Sequence, residues 1–223
     1  MSADEAERLR RWHERASEEL HALGGRRVSY LDLDLEVPAE VLGPSPVSDL
    51  LGERVLAEVE PDERVLDLGT GSGVNALLAA RKGATVVGVD INPVAVEVAR
   101  RNAVTNGLHE LATFVEGDLF DPVDGTFDVI VFDPPFRWFA PRDLLEMAFA
   151  DDGYATLTRF FAEVPERLRP GGRVLLFFGT SGDIAYLREL MAASPFDSEV
   201  VATRMIDTAN GQADYFTYRL TLD

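Results

Sequence analysis

Apolar side chains return along this chain with two different periods, and the places where the period changes mark its elements. From residue 3 to about 22, Leu9, Trp12, Ala16, Leu20 and Leu23 recur at three- and four-residue intervals, which lays one apolar stripe along a helix. Ser2 and Glu5 have the spacing of a capping box, and Gly24-Gly25 supply a stop. Such a helix either packs on the main body or serves as a lid or docking element. Leu31, Leu33, Leu35 and Val37 then alternate with acidic residues, as on a half-buried strand.

From Pro61 the pattern becomes strand, turn, helix, repeated. Apolar runs predict strands over 64–68, 84–90, 112–117, 127–133 and 173–179, with helical periodicity over 73–82, 93–106, 155–168 and 183–193. Apolar strands that alternate with helices indicate a parallel sheet covered on both faces. Residues 199–204 and 214–222 are two strands with no helix between them, so they should form an antiparallel pair. The expected fold is a doubly wound, Rossmann-like α/β sheet of about seven strands with an antiparallel final pair. Three parts follow: an N-terminal helix over 1–25, a strand and helix over 26–60 that lead into the core, and a main domain over 61–223.

The polar residues of interest stand at the ends of the predicted strands. Val65-Leu-Asp67-Leu-Gly69-Thr70-Gly71-Ser-Gly73 is a strand that enters a glycine turn and then a helix. Glycine lets backbone approach a ligand closely, and a helix N-terminus offers free N–H groups to an anion. A dinucleotide site wants glycine at the sixth position of G-x-G-x-x-G, where this chain has Val74. Asp90 ends the next strand, 17 residues after Gly73, and Ile91 follows it. An acid there can accept hydrogen bonds from both ribose hydroxyls of an adenosine ligand, and ahead of Pro93 it also suits a helix cap. Asp118 and Leu119 follow the third strand, an acid for an adenine amino group and an apolar chain to cover the ring, or else simply a loop. Open sheets bind ligands at the carboxyl ends of their strands, where all three places fall.

The fourth strand runs into Asp133-Pro134-Pro135-Phe136. Proline fixes the backbone and donates no hydrogen bond, so nearby carbonyls stay free as acceptors. The Asp133 carboxylate and the Pro134 carbonyl can each take one N–H of an amino group and aim its lone pair. Phe136 can stack on a planar substrate and favour developing positive charge. A plain proline turn is the competing reading. Residues 137–151 follow directly, and a loop there would overhang the site. Trp138 and Phe139 are candidate substrate walls or core residues, and Arg137 and Arg142 can grip a carboxylate or a phosphate.

Together these motifs resemble the class I S-adenosylmethionine-dependent methyltransferases, and within them the HemK/PrmC-type protein-(glutamine-N5) methyltransferases. The likeness extends beyond the glycine turn. Val37-Pro-Ala-Glu-Val41-Leu-Gly-Pro44-Ser45-Pro46-Val-Ser48-Asp49 is similar to the family's segment ahead of that turn, and Asp152-Gly153-Tyr154 with Leu168-Arg-Pro-Gly171-Gly172 is similar to its D-G-L and L-x-P-G-G stretches. The resemblance covers residues 37–180 and implies S-adenosylmethionine as cofactor, S-adenosylhomocysteine as product and no metal. It implies cofactor contacts from Asp67, Gly69, Thr70, Gly71, Gly73, Asp90, Ile91, Asp118 and Leu119, and transfer to a nitrogen beside Asp133, Pro134 and Phe136. The chain also departs from the pattern. Asp133 and Phe136 stand where the family has N-P-P-Y, and the aspartate form is commoner in enzymes that methylate nucleobase amino groups. The upstream Arg and Thr are Ser45 and Ser48, and only the 1–25 helix stands in place of the family's domain for a release factor. The implied acceptor is a nitrogen of a small molecule or a protein side chain. The alternatives are an RNA or DNA base and, remotely, a non-catalytic cofactor-binding subunit.

Composition narrows the partners. The chain has 223 residues and a formal net charge of -18, from 39 acids against 21 Lys and Arg. Nucleic-acid affinity comes largely from cations on phosphates, so a long polynucleotide meets a repulsive average field. Lys82 is the single lysine, and the chain holds no cysteine, so disulfides and thiolate metal sites are out of reach. The charged N-terminus lacks the apolar stretch of a secretion signal and no run approaches the ~18 apolar residues of a membrane span, which predicts a cytoplasmic protein.

Overall fold

The computed structural model of the chain describes residues 3–208 and 211–222. Helix α1 (Ala3–Leu23) is followed by a hairpin of β1 (Arg26–Tyr30) and β2 (Leu33–Val37), then helix α2 (Asp49–Glu58). The main sheet uses β3 (Arg64–Leu68), β4 (Thr85–Asp90), β5 (Ala112–Glu116), β6 (Phe127–Phe132), β7 (Leu168–Gly179), β8 (Phe196–Thr208) and β9 (Gly211–Leu222). Helices α3 (Val74–Arg81), α4 (Pro93–Thr105), α5 (Ala155–Glu163) and α6 (Ile184–Ala193) connect them. The seven strands lie in the order β5-β4-β3-β6-β7-β9-β8. Those from β5 to β7 run parallel, and β9 runs antiparallel to both β7 and β8. Among the described residues no helix is long and apolar enough to cross a membrane.

Alternation along the strands builds the two covered faces. Val129 and Val131 of β6 join Val65, Leu77 and Val55 on the side of α2 and α3, while Ile130 and Phe132 join Leu66, Phe160 and Leu187 on the side of α5 and α6. These side chains are fully buried, and truncating a phenylalanine such as Phe132 to alanine costs ~3–5 kcal/mol in cores of this kind. The order reverses between β3 and β6: the chain winds outward through β4 and β5, then returns to the other side of β3. That reversal opens a crevice at the carboxyl ends of β3 and β6. Register puts Leu68 beside Phe132 and Val89 beside Leu68, so Gly69, Asp90 and Asp133 emerge next to one another.

Several local expectations change in the folded chain. The alternating run from Leu31 is not one strand, because Leu31 and Asp32 form the turn of a hairpin at φ 45° and 60°. The partner strand β1, Arg-Arg-Val-Ser-Tyr, has too few apolar residues to announce itself. Helix α5 stops at Glu163 and tightens into a 3-10 turn over Val164–Arg167, since Pro165 has no N–H for an α-helical bond. Strand β7 starts five residues earlier than the apolar run, at Leu168, by bulging between the pairs Phe127–Leu168 and Val129–Arg173. In α1 the buried line is Leu9, His13 and Ser17; Trp12, Ala16 and Leu20 are half-buried, and Leu23 is exposed. Ser2, with the cap expected there, lies outside the described residues.

Candidate active site

The turn after β3 is held from beneath. Asp67 is buried and accepts hydrogen bonds from the Thr70 hydroxyl (2.6 Å) and the Ala76 N–H (3.1 Å), tying the turn to the first residues of α3. Burial pushes its carboxyl up to about 7, and the Asp90 carboxylate adds to that. Gly69 and Gly71 both sit at positive φ, 64° and 54°, a backbone that side-chain-bearing residues rarely take. The Gly71 N–H donates to Asp90 Oδ2 (2.8 Å) and the Asn92 N–H to Asp90 Oδ1 (2.9 Å). Each carboxylate oxygen keeps a lone pair, so Asp90 can brace the turn and still accept two further hydroxyls. Asn92, rather than Asp90, caps α4, taking the Val94 N–H at 2.9 Å.

Asp118 forms an ion pair with Arg159 at 2.8 Å, and the same arginine bonds Asp121 and Glu163. Leu119 is buried at φ 49°, while Ile91 is 47% exposed at the cavity's lip, an apolar surface open to cover a ring. Opposite them stands Asp133, half-buried, whose carboxylate makes no hydrogen bond among the described residues. Burial pushes it up to about 7, helped by the Asp67 carboxylate. The Phe136 ring packs on Phe178 at 5.3 Å and on Phe177 at 6.3 Å. Its carbonyl accepts from the Tyr154 hydroxyl (2.9 Å), which in turn accepts from the Asp183 N–H (2.7 Å). The proline motif is thereby anchored to the starts of α5 and α6.

These segments meet at one cavity of about 700 Å³, within the size range of small-molecule sites. The turn after β3, Asp90, Asp118 and the proline motif line it, and Ala16, Glu19, Leu20 and Leu23 of α1 form part of its wall. Residues 46–204 match the methyltransferase small domain family. The chain belongs to that family. It is 39% identical over 180 residues to the release factor glutamine methyltransferase of Rhodospirillum rubrum, covering 74% of this chain and 55% of that protein. It is also 39% identical over 149 residues to a putative protein N5-glutamine methyltransferase of Methanocaldococcus jannaschii, covering 64% of this chain and 74% of the relative. The chain thus spans little more than half the length of the first of these relatives. Among solved structures, the T. thermophilus 16S rRNA N2 G1207 methyltransferase, in complex with AdoMet and guanosine, shares the fold with a TM-score of 0.62 at 24% identity, over 89% of this chain and 50% of that one.

Within this methyltransferase fold the sequence candidates separate. Gly69, Thr70, Gly71, Asp90, Ile91, Asp118, Leu119, Asp133, Pro134, Phe136 and Arg137 gather on the cavity wall. Asp67 and Gly73 do not; Asp67 faces the underside of the turn, and Gly73 lies against Ala99 and Phe114. Trp138, Phe139 and Arg142 do not line it either. Trp138 packs on Phe139 (4.8 Å) and Tyr154 (6.3 Å), and Phe139 on His13 of α1 (4.7 Å). Arg142 is spent on the fully buried Glu146, bonded at 2.8 Å through Nε, and on Ser17. Motif reading missed Arg159, Phe177 and Tyr215, whose only sequence signals are an ordinary helix charge pair and apolar strand positions, and it gave Tyr154 no role beyond its place in the Asp152-Gly153-Tyr154 stretch. No group of metal-ligating side chains occurs among the described residues.

Proposed function

We propose that this chain transfers a methyl group from S-adenosylmethionine to a nitrogen, that of a protein side chain before that of a small molecule. The observation that carries the reading is the juxtaposition, across β3 and β6, of the glycine turn with Asp133-Pro134-Pro135-Phe136 in one cavity. The residues present suit the cofactor: Asp90 retains acceptor capacity for ribose hydroxyls, Ile91 and Leu119 offer apolar cover for adenine, and Asp118 is steadied by Arg159. When bound, S-adenosylmethionine supplies an electrophilic methyl group that a nitrogen lone pair takes as the sulfur leaves as a neutral thioether. Asp133 and the Pro134 carbonyl orient the amine or amide through its N–H groups, and Asp133, pushed up to about 7, can take the released proton. Most of the rate then comes from holding nitrogen and methyl at ~3–3.5 Å and from keeping water out.

The names of the relatives favour a glutamine amide of a protein as acceptor. Asp133 supports a second reading, amino methylation of a nucleobase, and the solved rRNA enzyme of the same fold is in complex with guanosine. Incubation with methyl-labelled cofactor and cell fractions separates the two. Label in protein supports the first reading, and label confined to RNA or DNA replaces it with the second. Asp90→Ala should weaken S-adenosylhomocysteine binding by ~1–3 kcal/mol, since ribose acceptors and a turn brace are lost together. Unchanged affinity in titration calorimetry would remove Asp90 from the site.

A further inference from the structure

Two arginines follow the proline motif, and the fold treats them oppositely. Arg142 is neutralised by Glu146. Arg137, one residue beyond the proline motif, has no such partner: its Nε and Nη1 are buried and make no hydrogen bond. Elsewhere Arg64, Arg100, Arg159 and Arg173 all direct their guanidinium groups to carbonyl or carboxylate oxygens. The Arg137 backbone is pinned on both sides, its N–H donating to the Phe149 carbonyl (3.3 Å) and its carbonyl accepting from the Asp151 N–H (2.7 Å). The guanidinium carbon lies 5.2 Å from the centre of the Phe149 ring, a contact that softens the burial of a cation without supplying acceptors. Burial holds its pKa below the ordinary arginine value. A buried guanidinium with unmet donors destabilises the folded chain, and a bound anion offsets that.

We infer that Arg137 binds a carboxylate carried by the methyl acceptor, an inference that rests on the transfer reading above. Charge and shape favour a carboxylate over a phosphate. One planar guanidinium matches a monoanion through two parallel bonds, whereas a dianion would want further cations. Arg137 is the one Lys or Arg among the described residues that line the cavity, and the Phe149 ring packs against it. Sheet order assigns the carboxylate to the acceptor rather than to the cofactor. The turn after β3 and Asp90 after β4 lie to one side of β6; Phe177 and Tyr215, which line the cavity with Arg137, belong to β7 and β9 on the other. The acceptor is therefore a nitrogen compound or peptide with a free acid group near the methylated atom, such as a flanking acidic side chain or a terminal carboxylate.

The test uses the full chain saturated with S-adenosylhomocysteine, with glutarate as probe and uncharged glutaramide as its isostere. Glutarate should raise the melting temperature saturably and glutaramide should not, and Arg137→Gln should weaken the glutarate response at least tenfold. Ligand-free Arg137→Gln should melt no lower than the parent, because an unpaired buried charge is gone; Arg137→Lys serves if the glutamine variant does not fold. A glutarate response no better than that of glutaramide, or one that persists in Arg137→Gln, overturns the inference. A tenfold loss of S-adenosylhomocysteine affinity in Arg137→Gln overturns it too, by assigning the carboxylate to the cofactor. Failure of the parent chain to bind S-adenosylhomocysteine sinks the transfer reading instead, and the same glutarate comparison on the cofactor-free protein still reads Arg137 alone.

Discussion

Asp133 joins two properties that pull against each other: it faces the cavity proposed to receive a cationic sulfonium, yet burial holds its carboxyl up to about 7. A neighbouring positive charge favours the ionised form, so binding the cation releases a proton. Affinity for S-adenosylmethionine should therefore rise as pH climbs through 7, by at most ~10-fold per unit, and level off above. S-adenosylhomocysteine lacks the charge and should show a shallower slope. Parallel slopes for the two ligands in calorimetry between pH 6 and 8 would mean Asp133 does not face the sulfonium. Asp133→Ala should lower turnover by ~10²-fold or more while affinity for the uncharged S-adenosylhomocysteine stays within a few-fold, the signature of a group that acts in transfer. Asp133→Asn tells charge from hydrogen bonding, since the amide still accepts one N–H. Full activity in the alanine variant would return the motif to the status of a plain turn.

At the level of elements, the proline motif owes its position to neighbours far away in sequence. The Tyr154 hydroxyl joins the Phe136 carbonyl to the Asp183 N–H, and the Tyr154 and Tyr186 rings stack at 5.1 Å, so the motif is tied to both α5 and α6. Gly182 completes the arrangement, since a Cβ there would overlap the Phe136 carbonyl oxygen. Gly182→Ala must displace either the motif or the start of α6, at ~1–3 kcal/mol typical of overpacking. Turnover should fall with little change in S-adenosylhomocysteine affinity, because the turn after β3 is untouched. Single-turnover kinetics with the labelled acceptor checks this, and an unchanged transfer rate would mean the motif does not depend on α6. The sequence around residue 182 carries no hint of the contact. Glycine before an aspartate cap reads as an ordinary turn.

For the whole molecule, charge and the N-terminal helix set what reaches the cavity. A net charge of -18 disfavours long polyanions, and the two arginines that might have gripped a phosphate are unequal, with Arg142 neutralised. Mobility shifts with transfer and ribosomal RNA at low salt should show no tight complex, where screening is weakest and even poor binders register. Tight, salt-sensitive binding would promote the nucleobase reading. Helix α1 closes one side of the cavity through a polar clasp: Ser17 donates to Glu146 at 2.6 Å, and His21 pairs with Asp143 at 2.8 Å. Arg142 chiefly, with Ser17, holds the Glu146 carboxyl down to about 2 despite its burial. A carboxyl depressed in the fold stabilises it above the unfolded pKa and loses that stabilisation as pH falls toward 2. The Glu146 half of the clasp should therefore persist through the neutral range, and Glu146→Gln should lower the melting temperature at pH 7 more than at pH 3.

Sequence by itself determined the sheet, its helices and the places where chemistry gathers. Strand alternation, glycine turns and proline are local signals, and the carboxyl-end rule converts strand order into a site. Asp90 and Asp133 were legible because each ends an apolar strand. Tertiary structure decided what each polar residue is free to do. Asp67 and Arg142 were as good candidates as Asp90 and Arg137 until their partners, Thr70 and Ala76 beneath the turn and Glu146 beneath α1, became visible. The same holds for α1, whose apolar stripe points to Leu23 although burial follows Leu9, His13 and Ser17. A side chain's availability depends on whether its hydrogen-bonding capacity is already met. Glu146 bonds Ser17 from 129 positions away and Asp118 bonds Arg159 from 41, separations over which no local pattern in the chain carries information.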